Sequence, residues 1–556
     1  MTESRTVLVI GGTGMFGERL VSGLLATTTF HVIAAARDAA RLAALVARLG
    51  AGRLTTLVLD RSKVTPGDLR ATGAFAVVDA AGPFQRASYR LAETVIAAGL
   101  HYIDLADARD FVAGFGVLDT AAKAAGVIAL TGASSTPALS NAVLDTITKD
   151  WTAVHRVDVA ISPGNKVPVG LSVIHSILSY AGRPVRVFDA CAWQDRPGWG
   201  LTVRRDRPGL GKRLLSLVET PDLDVIPARF AVRDAAIFRA GLELGVLHWG
   251  LWVAGWPVRL RLLPSLAPLA RMVRWMADRV ASFGSDRGGM TVDAEGLDRD
   301  GRPVRGAWSL VAEAGDGPFV PTLPALAALR ALADGRLSSP GAMICAGVLP
   351  LAWIEAEFSG RQIASHVIID RPVSLYERVL GNAFHALPAP LRRLHTPGSR
   401  FSASGMARVD GADGPVAQLI SAVVGLPKAG NVPVSVEITA AHGTERWTRN
   451  FGGRRFSSVL SAAAIPGRLV EQFGPFSFEL GLPVGPAGVS GMPVMGWRLG
   501  PLPMPMILAP VSNATEDVDS EGRFQFDVEM RLPLGLGRLV RYRGWLITYE
   551  TRPGAA

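Results

Sequence analysis

The sequence predicts an α/β fold with a Rossmann-like doubly wound parallel sheet, an α+β substrate region and a C-terminal, mainly antiparallel β domain. Strands alternate with helical patterns over 1–145, and a return to this first sheet is expected at about 335–360. Residues 146–334 contain an apolar helical region at 235–283, and period-two alternation dominates 373–552. Because a chain of 556 residues is too long to fold around one hydrophobic core, several domains are expected.

The composition is that of a folded chain. Apolar residues make up 49% and charged residues 19%, which argues against a long disordered tail. The net charge is +10, but no basic block with interleaved aromatic residues occurs, so we expect no nucleic-acid partner. Two cysteines cannot form a disulfide framework, and the first residues lack a signal-peptide pattern. A cytoplasmic protein is expected.

A glycine cluster near the N-terminus is the strongest local signal. The apolar run TVLVI predicts a buried strand, Gly12, Gly14 and Gly17 follow at GxGxxG spacing, and a helical pattern begins at Glu18. Such glycines make a tight turn and let the backbone approach a pyrophosphate at the helix N-terminus. The alternative is a turn without ligand. The sequence predicts a dinucleotide site formed by Gly12, Thr13, Gly14, Met15, Phe16 and Gly17.

The end of the second predicted strand indicates which dinucleotide binds. NAD-binding proteins usually place an acidic residue about 20 residues beyond the motif, where this chain has Ala36. Arg37 follows, and Arg41 lies one helical turn later. Guanidinium groups match phosphate oxygens, so NADP (NADPH) is favoured over NAD. Asp38 is expected to cap the next helix, and Asp60 either faces the adenine or simply ends a third strand.

Two further strand ends are candidates for the nicotinamide half of the site. A rigid turn of small residues at a strand's carboxyl end is where an open α/β sheet binds its ligand. The predicted lining residues after the fourth strand are Ala81, Gly82, Pro83 and Phe84. Residues 134–136, two serines and a threonine, either contact the nicotinamide end or serve as helix N-caps.

Tyr102, Asp104 and Asp107 are the candidate acid/base residues. Hydride transfer needs an acid or base near the reacting carbonyl or imine. Both aspartates lie near the carboxyl end of a fifth strand, and alternation puts Tyr102 and Asp104 on one face. The structural alternative is that Asp104 caps the next turn and Tyr102 packs in the core. Neither CxxC nor HExxH spacing occurs, so no metal is expected.

The most apolar part of the chain has two interpretations. Glu243, His248 and Pro257 interrupt its apolar run, which is too short to span a bilayer. The arginine-, leucine- and tryptophan-rich sequence that follows suits an amphipathic helix on a membrane surface. It equally suits helices that pack over the substrate domain. Peripheral membrane contact through 241–283 is therefore one of two alternatives.

Alternation in the C-terminal third predicts an antiparallel sheet with one face on a core, including two strands joined around His442–Gly443. Glu445, Arg449, Arg541 and Arg543 either form a polar site on this sheet or make cross-strand ion pairs on its wet face. A ligand-binding or dimerising module is expected, without assigned chemistry.

Four segments together resemble the saccharopine dehydrogenase-like family in its NADP-binding domain: GGTGMFG, AAGPF, AAGLHYIDLAD and GASSTPALS. The resemblance covers roughly residues 5–360 and implies hydride transfer between a nicotinamide and a C=N, C=O or C=C bond. Residues from about 375 to 552 resemble a domain of unknown function that is often fused behind this enzyme type. The segments LYERVLGNAFHALPAPLRRLH, ERWTRNFGGRRFSS and RLVRYRGWL carry that second resemblance.

The function expected from the sequence is an NADP-dependent oxidoreductase acting on a small, hydrophobic and lipid-like substrate. A homodimer is compatible with this expectation. One alternative is a non-catalytic, membrane-associated protein that binds the nucleotide as a scaffold. A second alternative is a condensing enzyme of the homospermidine synthase type, which would use NAD internally.

Overall fold

The computed structural model describes residues 5–50, 52–167, 170–207, 209–396, 400–441, 443–485 and 488–548. In this described part the chain forms two compact units. One consists of Met1–Ala294 and Gly306–Ile369, and the other of Glu295–Arg305 and Asp370–Ala556.

The strands are β1 (Thr6–Ile10), β2 (His31–Ala36), β3 (Leu54–Val58), β4 (Ala74–Asp79), β5 (His101–Asp104), β6 (Ile128–Thr131), β7 (Trp151–Ser162), β8 (Pro184–Asp189), β9 (Ala192–Pro197), β10 (Val203–Arg207), β11 (Gly211–Leu217), β12 (Ala235–Ala240), β13 (Gly288–Asp298), β14 (Pro303–Ala312), β15 (Gly341–Ile344), β16 (Ile363–Asp370), β17 (Arg400–Asp410), β18 (Gly430–Ala441), β19 (Thr444–Phe451), β20 (Arg454–Ala462), β21 (Arg468–Phe473), β22 (Phe476–Gly481), β23 (Val484–Gly485), β24 (Gly488–Val489), β25 (Val494–Leu499), β26 (Leu502–Pro503), β27 (Val511–Val518), β28 (Phe524–Arg531) and β29 (Arg538–Thr548). The α-helices are α1 (Met15–Thr27), α2 (Ala39–Leu49), α3 (Pro66–Ala71), α4 (Arg90–Ala97), α5 (Arg109–Gly114), α6 (Asp119–Ala124), α7 (Ser140–Ile147), α8 (Leu171–Tyr180), α9 (Asp222–Arg229), α10 (Gly245–Ala254), α11 (Trp256–Arg259), α12 (Ala270–Val280), α13 (Leu323–Ala333), α14 (Leu351–Glu355), α15 (Leu375–Leu380), α16 (Asn382–His385), α17 (Ala389–Leu394) and α18 (Pro415–Val424).

The first sheet is parallel, with the strand order β15-β6-β5-β4-β1-β2-β3. Leu8 of β1 lies opposite Ile33 on one side and Val77 on the other. Strands that are buried on both faces read as continuous apolar runs, which is why TVLVI and AFAVVD form its centre. The predicted doubly wound sheet is confirmed. Its order reverses between β1 and β4, where such sheets open a crevice at their carboxyl ends.

The turn from β1 to α1 depends on glycine. A Cβ on Gly17 would overlap the carbonyl oxygen of Gly11, and a Cβ on Gly12 would lie 2.9 Å from the Cβ of Ala34. Gly11 adopts a φ of 82° and would bring a Cβ to 2.8 Å from the backbone nitrogen of Ala81. The GxGxxG spacing did not include Gly11, yet its conformation and close approach demand glycine as well.

The second sheet is mixed. Its main path is β10-β11-β12-β7-β13-β14-β16, and β8 extends from β12 towards β9. β12 and β7 are parallel, whereas β10 and β11 are antiparallel. Gly170 is the N-cap residue of helix α8, and α12 packs against this helix. Among the residues that the structure describes, no helix is both long and apolar enough to cross a bilayer.

The third sheet has strands of the second compact unit and is antiparallel, in the order β23-β24-β27-β28-β29-β17-β18-β19-β20-β21-β22-β25-β26. Its inner face packs on helices α15 to α17, with Tyr376, Leu391 and Trp447 in the shared core. The mainly antiparallel C-terminal domain is confirmed. β18 and β19 are paired as expected, although His442 between them lies outside the described residues.

The four polar candidates of this sheet occupy two faces. Arg541 pairs across strands with Asp527 at 2.6 Å on a partly exposed face, as the ion-pair alternative predicts. Arg449 donates a hydrogen bond to Glu471 at 3.2 Å on the inner face, where Glu445 is buried. Arg543 lies 3.6 Å from the carboxylate of Asp410, which is a second cross-strand pair.

We expect Gly17→Ala to destabilise the protein by about 2 kcal/mol, because overpacking at a rigid backbone contact typically costs ~1–3 kcal/mol. Gly116→Ala is the matched control, since nothing lies within 4 Å of a Cβ built there. Urea unfolding followed by circular dichroism measures both changes. Equal free energies of unfolding for Gly17→Ala and the unchanged protein would contradict the close helix–strand contact.

Candidate functional site

The glycine turn presents backbone N–H groups at the start of α1. The N–H groups of Gly11 and Gly12 donate to the carbonyl oxygen of Ala35 at 2.8 and 3.1 Å, and Gly14 donates to Gly11 at 2.8 Å. These bonds hold the turn against β2. The first turn of α1, beginning at Met15, has N–H groups without acceptors inside the helix. A helix N-terminus of this kind binds an anion such as a diphosphate.

Arg41 lies against the glycine turn. Its Nη2 donates a hydrogen bond to the carbonyl oxygen of Thr13 at 3.0 Å. Asp38 accepts hydrogen bonds from the backbone N–H groups of Ala40 and Arg41 at 2.9 and 3.1 Å, so its predicted capping role is confirmed. The cap fixes the first turn of α2 and places the Arg41 guanidinium beside the phosphate-binding turn.

Arg37 and Asp60 stand at neighbouring strand ends. Arg37 is exposed directly after β2, and Asp60 follows β3. Hydrogen bonds from Ser62, and then the charges of Lys63 and Arg37, hold the pKa of Asp60 below its ordinary value. Lys63, in the turn that follows β3, is a further basic residue near Asp60, and the sequence interpretation missed it.

The turn after β4 divides into an exposed and a buried part. The Ala81 N–H donates to the carboxylate of Asp79 at 2.9 Å, and Gly82 and Pro83 are exposed at the carboxyl edge of the sheet. Phe84 is only 4% exposed and packs in the core. Its ring therefore supports the turn from beneath, and contact with a nicotinamide stays a prediction for all four residues.

Tyr102 and Asp104 are both buried. Asp104 accepts three hydrogen bonds at Oδ1, from the Ala106 N–H at 2.9 Å, the Thr131 hydroxyl at 3.0 Å and the Gly132 N–H at 2.7 Å. Burial raises the pKa of Asp104 to about 7. These bonds join the end of β5 to the loop after β6. The geometry favours the structural alternative, in which Asp104 holds the turn and Tyr102 packs in the core.

Asp107, the third candidate acid/base residue, differs from Tyr102 and Asp104 because solvent reaches it. Surrounding protein still desolvates its carboxyl group and raises the pKa, which a hydrogen bond from Gln85 partly offsets. The Gln85 side chain also donates to the hydroxyl of Ser176 on α8 at 2.9 Å. Burial, and then the charges of Asp107 and Glu219, raise the pKa of Tyr180 at the end of the same helix.

Helix α8 lies close to both the glycine turn and the segment around Gln85. A Cβ on Gly170, at the helix N-terminus, would lie 3.4 Å from the sulfur of Met15 in the glycine turn. Ser176 contacts Gln85, and Tyr180 is close enough to Asp107 for the charge of Asp107 to raise the pKa of Tyr180. The ten residues of α8 span about 15 Å. The helix thus runs from near the phosphate-binding turn to near Asp107, and we call the region between α8 and these two segments the α8 cleft.

A buried polar cluster borders the loop after β6. Desolvation raises the pKa of Asp222 to about 7, and the side chain of Asn141 donates to it at 3.2 Å. The two serines and the threonine at 134–136 are buried beside this loop. Ser134 precedes a helical turn, but its side chain makes no capping hydrogen bond there. Sequence reasoning missed Gln85, Tyr180, Glu219 and Asp222, which only tertiary packing brings to the site.

The fold and the glycine turn define a dinucleotide-binding α/β protein. Residues 7–142 match the family model of the saccharopine dehydrogenase NADP binding domain, and residues 387–546 match that of a domain of unknown function (DUF4166). Residues 7–142 are therefore similar to NADP-binding domains of the saccharopine dehydrogenase type, and residues 387–546 are similar to DUF4166 domains. Both resemblances expected from the sequence are confirmed, and a nicotinamide dinucleotide is the cofactor class that the first domain indicates.

Three solved structures illustrate how far the similarity extends. Apo saccharopine dehydrogenase (L-Glu forming) from Saccharomyces cerevisiae is 11% identical, with 66% of this chain and all of that chain covered and a TM-score of 0.47. GenD2 from gentamicin A biosynthesis, in complex with NAD, is 16% identical, with 66% of this chain and 97% of that chain covered and a TM-score of 0.32. A dehydrogenase from Chromobacterium violaceum is 13% identical, with 64% of this chain and 94% of that chain covered and a TM-score of 0.30. Comparison with curated protein sequences found no significant match.

Asp104 links stability to pH. Its folded pKa of about 7 lies above the value of about 4 for an unfolded aspartate. Between about pH 4 and pH 7 the folded state binds more protons, so the free energy of unfolding falls as pH rises through this window. We expect Asp104→Asn, which keeps an acceptor oxygen, to flatten that part of the curve in urea unfolding measured from acidic to neutral pH.

Asp68→Asn is the control of opposite sign. Hydrogen bonds that Thr65 donates to the Asp68 carboxylate lower the pKa of Asp68, so its contribution to stability is present at neutral pH and is lost on acidification through the folded pKa. Its replacement therefore leaves intact the decrease in stability between weakly acidic and neutral pH. An Asp104→Asn curve that parallels the unchanged protein would contradict a buried, protonated Asp104.

Proposed function

We propose that this protein is an NADP-dependent oxidoreductase of the saccharopine dehydrogenase-like type. It transfers a hydride to or from a C=N, C=O or C=C bond of a hydrophobic substrate. The observation that carries this proposal is the α8 cleft: α8 lies close to the glycine turn through Met15 and, through Gln85, to the solvent-exposed Asp107.

The residues at the turn suit a nicotinamide dinucleotide phosphate. The N–H groups at the start of α1 suit the pyrophosphate. Arg37, Arg41 and Lys63 provide the basic groups for the 2′-phosphate, and Arg41 is already held beside the turn by its bond to Thr13. Gly82 and the neighbouring proline leave an exposed strand end for the nicotinamide half. The bound cofactor supplies or accepts the hydride.

Asp107 is the proposed acid/base residue. Desolvation keeps its carboxyl group protonated to a higher pH than that of an ordinary aspartate. A protonated carboxyl in a solvent-accessible cleft can donate a proton to a substrate oxygen or nitrogen and recover it from water. Asp104 acts as a positioning residue, because its bond to the Ala106 N–H fixes the backbone next to Asp107. Glu219, also accessible and with a raised pKa, provides a second carboxyl group.

The 2′-phosphate role predicts selective loss of NADPH. We expect Arg37→Glu to weaken NADPH binding about tenfold or more, because hydrogen bonds between charged groups contribute ~1.5–3 kcal/mol. NADH affinity should change little. Intrinsic fluorescence titration measures both affinities. Arg70→Glu is the control. Arg70 is an exposed arginine in the last turn of α3, and its guanidinium donates a hydrogen bond to the carbonyl oxygen of Ala97. Equal affinities of the unchanged protein for NADPH and NADH would contradict the arginine role.

The acid/base role predicts loss of turnover without loss of cofactor. We expect Asp107→Asn to lower kcat by about 10²–10⁴ and to remove the decrease in rate that occurs as pH rises and the Asp107 carboxyl group loses its proton. NADPH affinity should stay within about twofold, because the carboxyl group is not part of the phosphate-binding turn. Turnover is followed by NADPH absorbance with a panel of carbonyl, imine and enoyl compounds of increasing hydrophobicity.

Glu93→Gln, an exposed carboxyl on α4, is the matched control and should retain full turnover. If Asp107→Asn kept normal kcat and pH dependence, another group would have to move the proton. NADPH binding without turnover of any compound in the panel would instead support the non-catalytic nucleotide-binding alternative.

A further inference from the structure

The outer surface of residues 245–283 exposes apolar side chains where a water-facing surface normally carries polar ones. Val246 is 85% exposed, Leu262 is 72% exposed and Trp275 is 57% exposed. Other large apolar side chains between Val246 and Phe283 are exposed as well. Scattered apolar residues are normal on a protein surface, but a concentration in one segment of this kind marks an interaction site.

Helix α12 is apolar on two sides. Ala270 and Val273 pack towards the core of the first unit. Met272, Trp275 and Met276, at i, i+3 and i+4 spacing, form a second apolar face that is exposed. A helix that only covered a soluble domain would carry polar residues on this outer side. The outer face of α12 is therefore adapted to a further contact.

Helix α10 repeats this arrangement. His248 points inwards and is buried, whereas Val246, Trp249 and Val253 lie on the exposed side at i, i+3 and i+7. The connection between α11 and α12 begins with Leu260 and continues with exposed leucines. Two helices and their connection thus expose apolar groups in one continuous stretch of the chain.

The charges of this surface are almost all positive. Residues 244–283 contain five arginines and one acidic residue, Asp278. Asp278 already accepts a hydrogen bond from Arg274 at 2.9 Å. The guanidinium of Arg279 lies 4.7 Å from the ring centre of Trp275, so a cation and an indole share one site. Tryptophan and arginine are the residues that favour the boundary between lipid headgroups and acyl chains.

We propose that the outer surface of residues 245–283 docks on an anionic lipid membrane. The exposed tryptophan, leucine and methionine side chains enter the headgroup–acyl boundary, and the arginines bind lipid phosphates. The helices are too short to span a bilayer, which makes this contact peripheral. A second copy of the chain fits less well, because a two-fold contact would bring arginines against arginines. The proposal does not depend on nucleotide binding or turnover.

Flotation of the full chain with phosphatidylcholine vesicles, with and without phosphatidylglycerol, tests this proposal. We expect binding to the vesicles that contain phosphatidylglycerol and a decrease of that binding at high salt. The double variant Trp275→Glu/Met276→Glu should lower the partition coefficient by about tenfold or more. Arg271→Glu/Arg279→Glu should abolish the preference for phosphatidylglycerol.

Val117→Glu is the matched control, because Val117 is a 73% exposed apolar residue elsewhere in the same unit. An unchanged thermal unfolding transition would show that the variants are folded. Unchanged binding by the Trp275→Glu/Met276→Glu variant, or no binding of the original chain to anionic vesicles, would overturn the proposal. A dimer that ignores vesicles and dissociates in the double variant would assign this surface to a second copy instead.

Discussion

The close approach of α1 to β1 is the constraint on which the dinucleotide site depends. Gly17 has no side chain because the carbonyl oxygen of Gly11 occupies that space. This contact places the N-terminus of α1 at the carboxyl edge of the sheet, where its N–H groups face the crevice. Arg41 and Gly170 then pack against the same turn, through Thr13 and Met15. The position of Arg41 beside the turn and the α8 cleft therefore both depend on this one backbone contact.

Local patterns predicted much of the fold because the forces behind them are local. Continuous apolar runs such as that of β1 indicate strands buried on both faces, and period-two alternation in β29 indicates a sheet with one core face. Asp38 was predictable as a cap because a short acidic side chain bonds to N–H groups two and three residues ahead. Gly11 was missed because its left-handed conformation depends on the turn geometry and its close contact with the strand-end backbone at Ala81.

The substrate end of the site could not be predicted in the same way. Gln85, Ser176 and Tyr180 come from separate parts of the chain, and no sequence spacing relates them. Glu219 joins them only because the second sheet places its loop near the end of α8. The pattern HYIDLAD correctly put Tyr102 and Asp104 on one side of a strand. The pattern could not predict how deeply these two side chains are buried, because their burial depends on the packing of neighbouring helices.

Burial depth is what separates the roles of Asp104 and Asp107. Desolvation raises the pKa of both carboxyl groups, so a raised pKa alone does not distinguish them. Asp104 is enclosed and its Oδ1 accepts three hydrogen bonds, so it has no path to solvent or substrate and instead fixes the backbone. Asp107, on the loop that follows, keeps solvent access within the cleft. A group that must exchange a proton in every turnover needs both a raised pKa and that access.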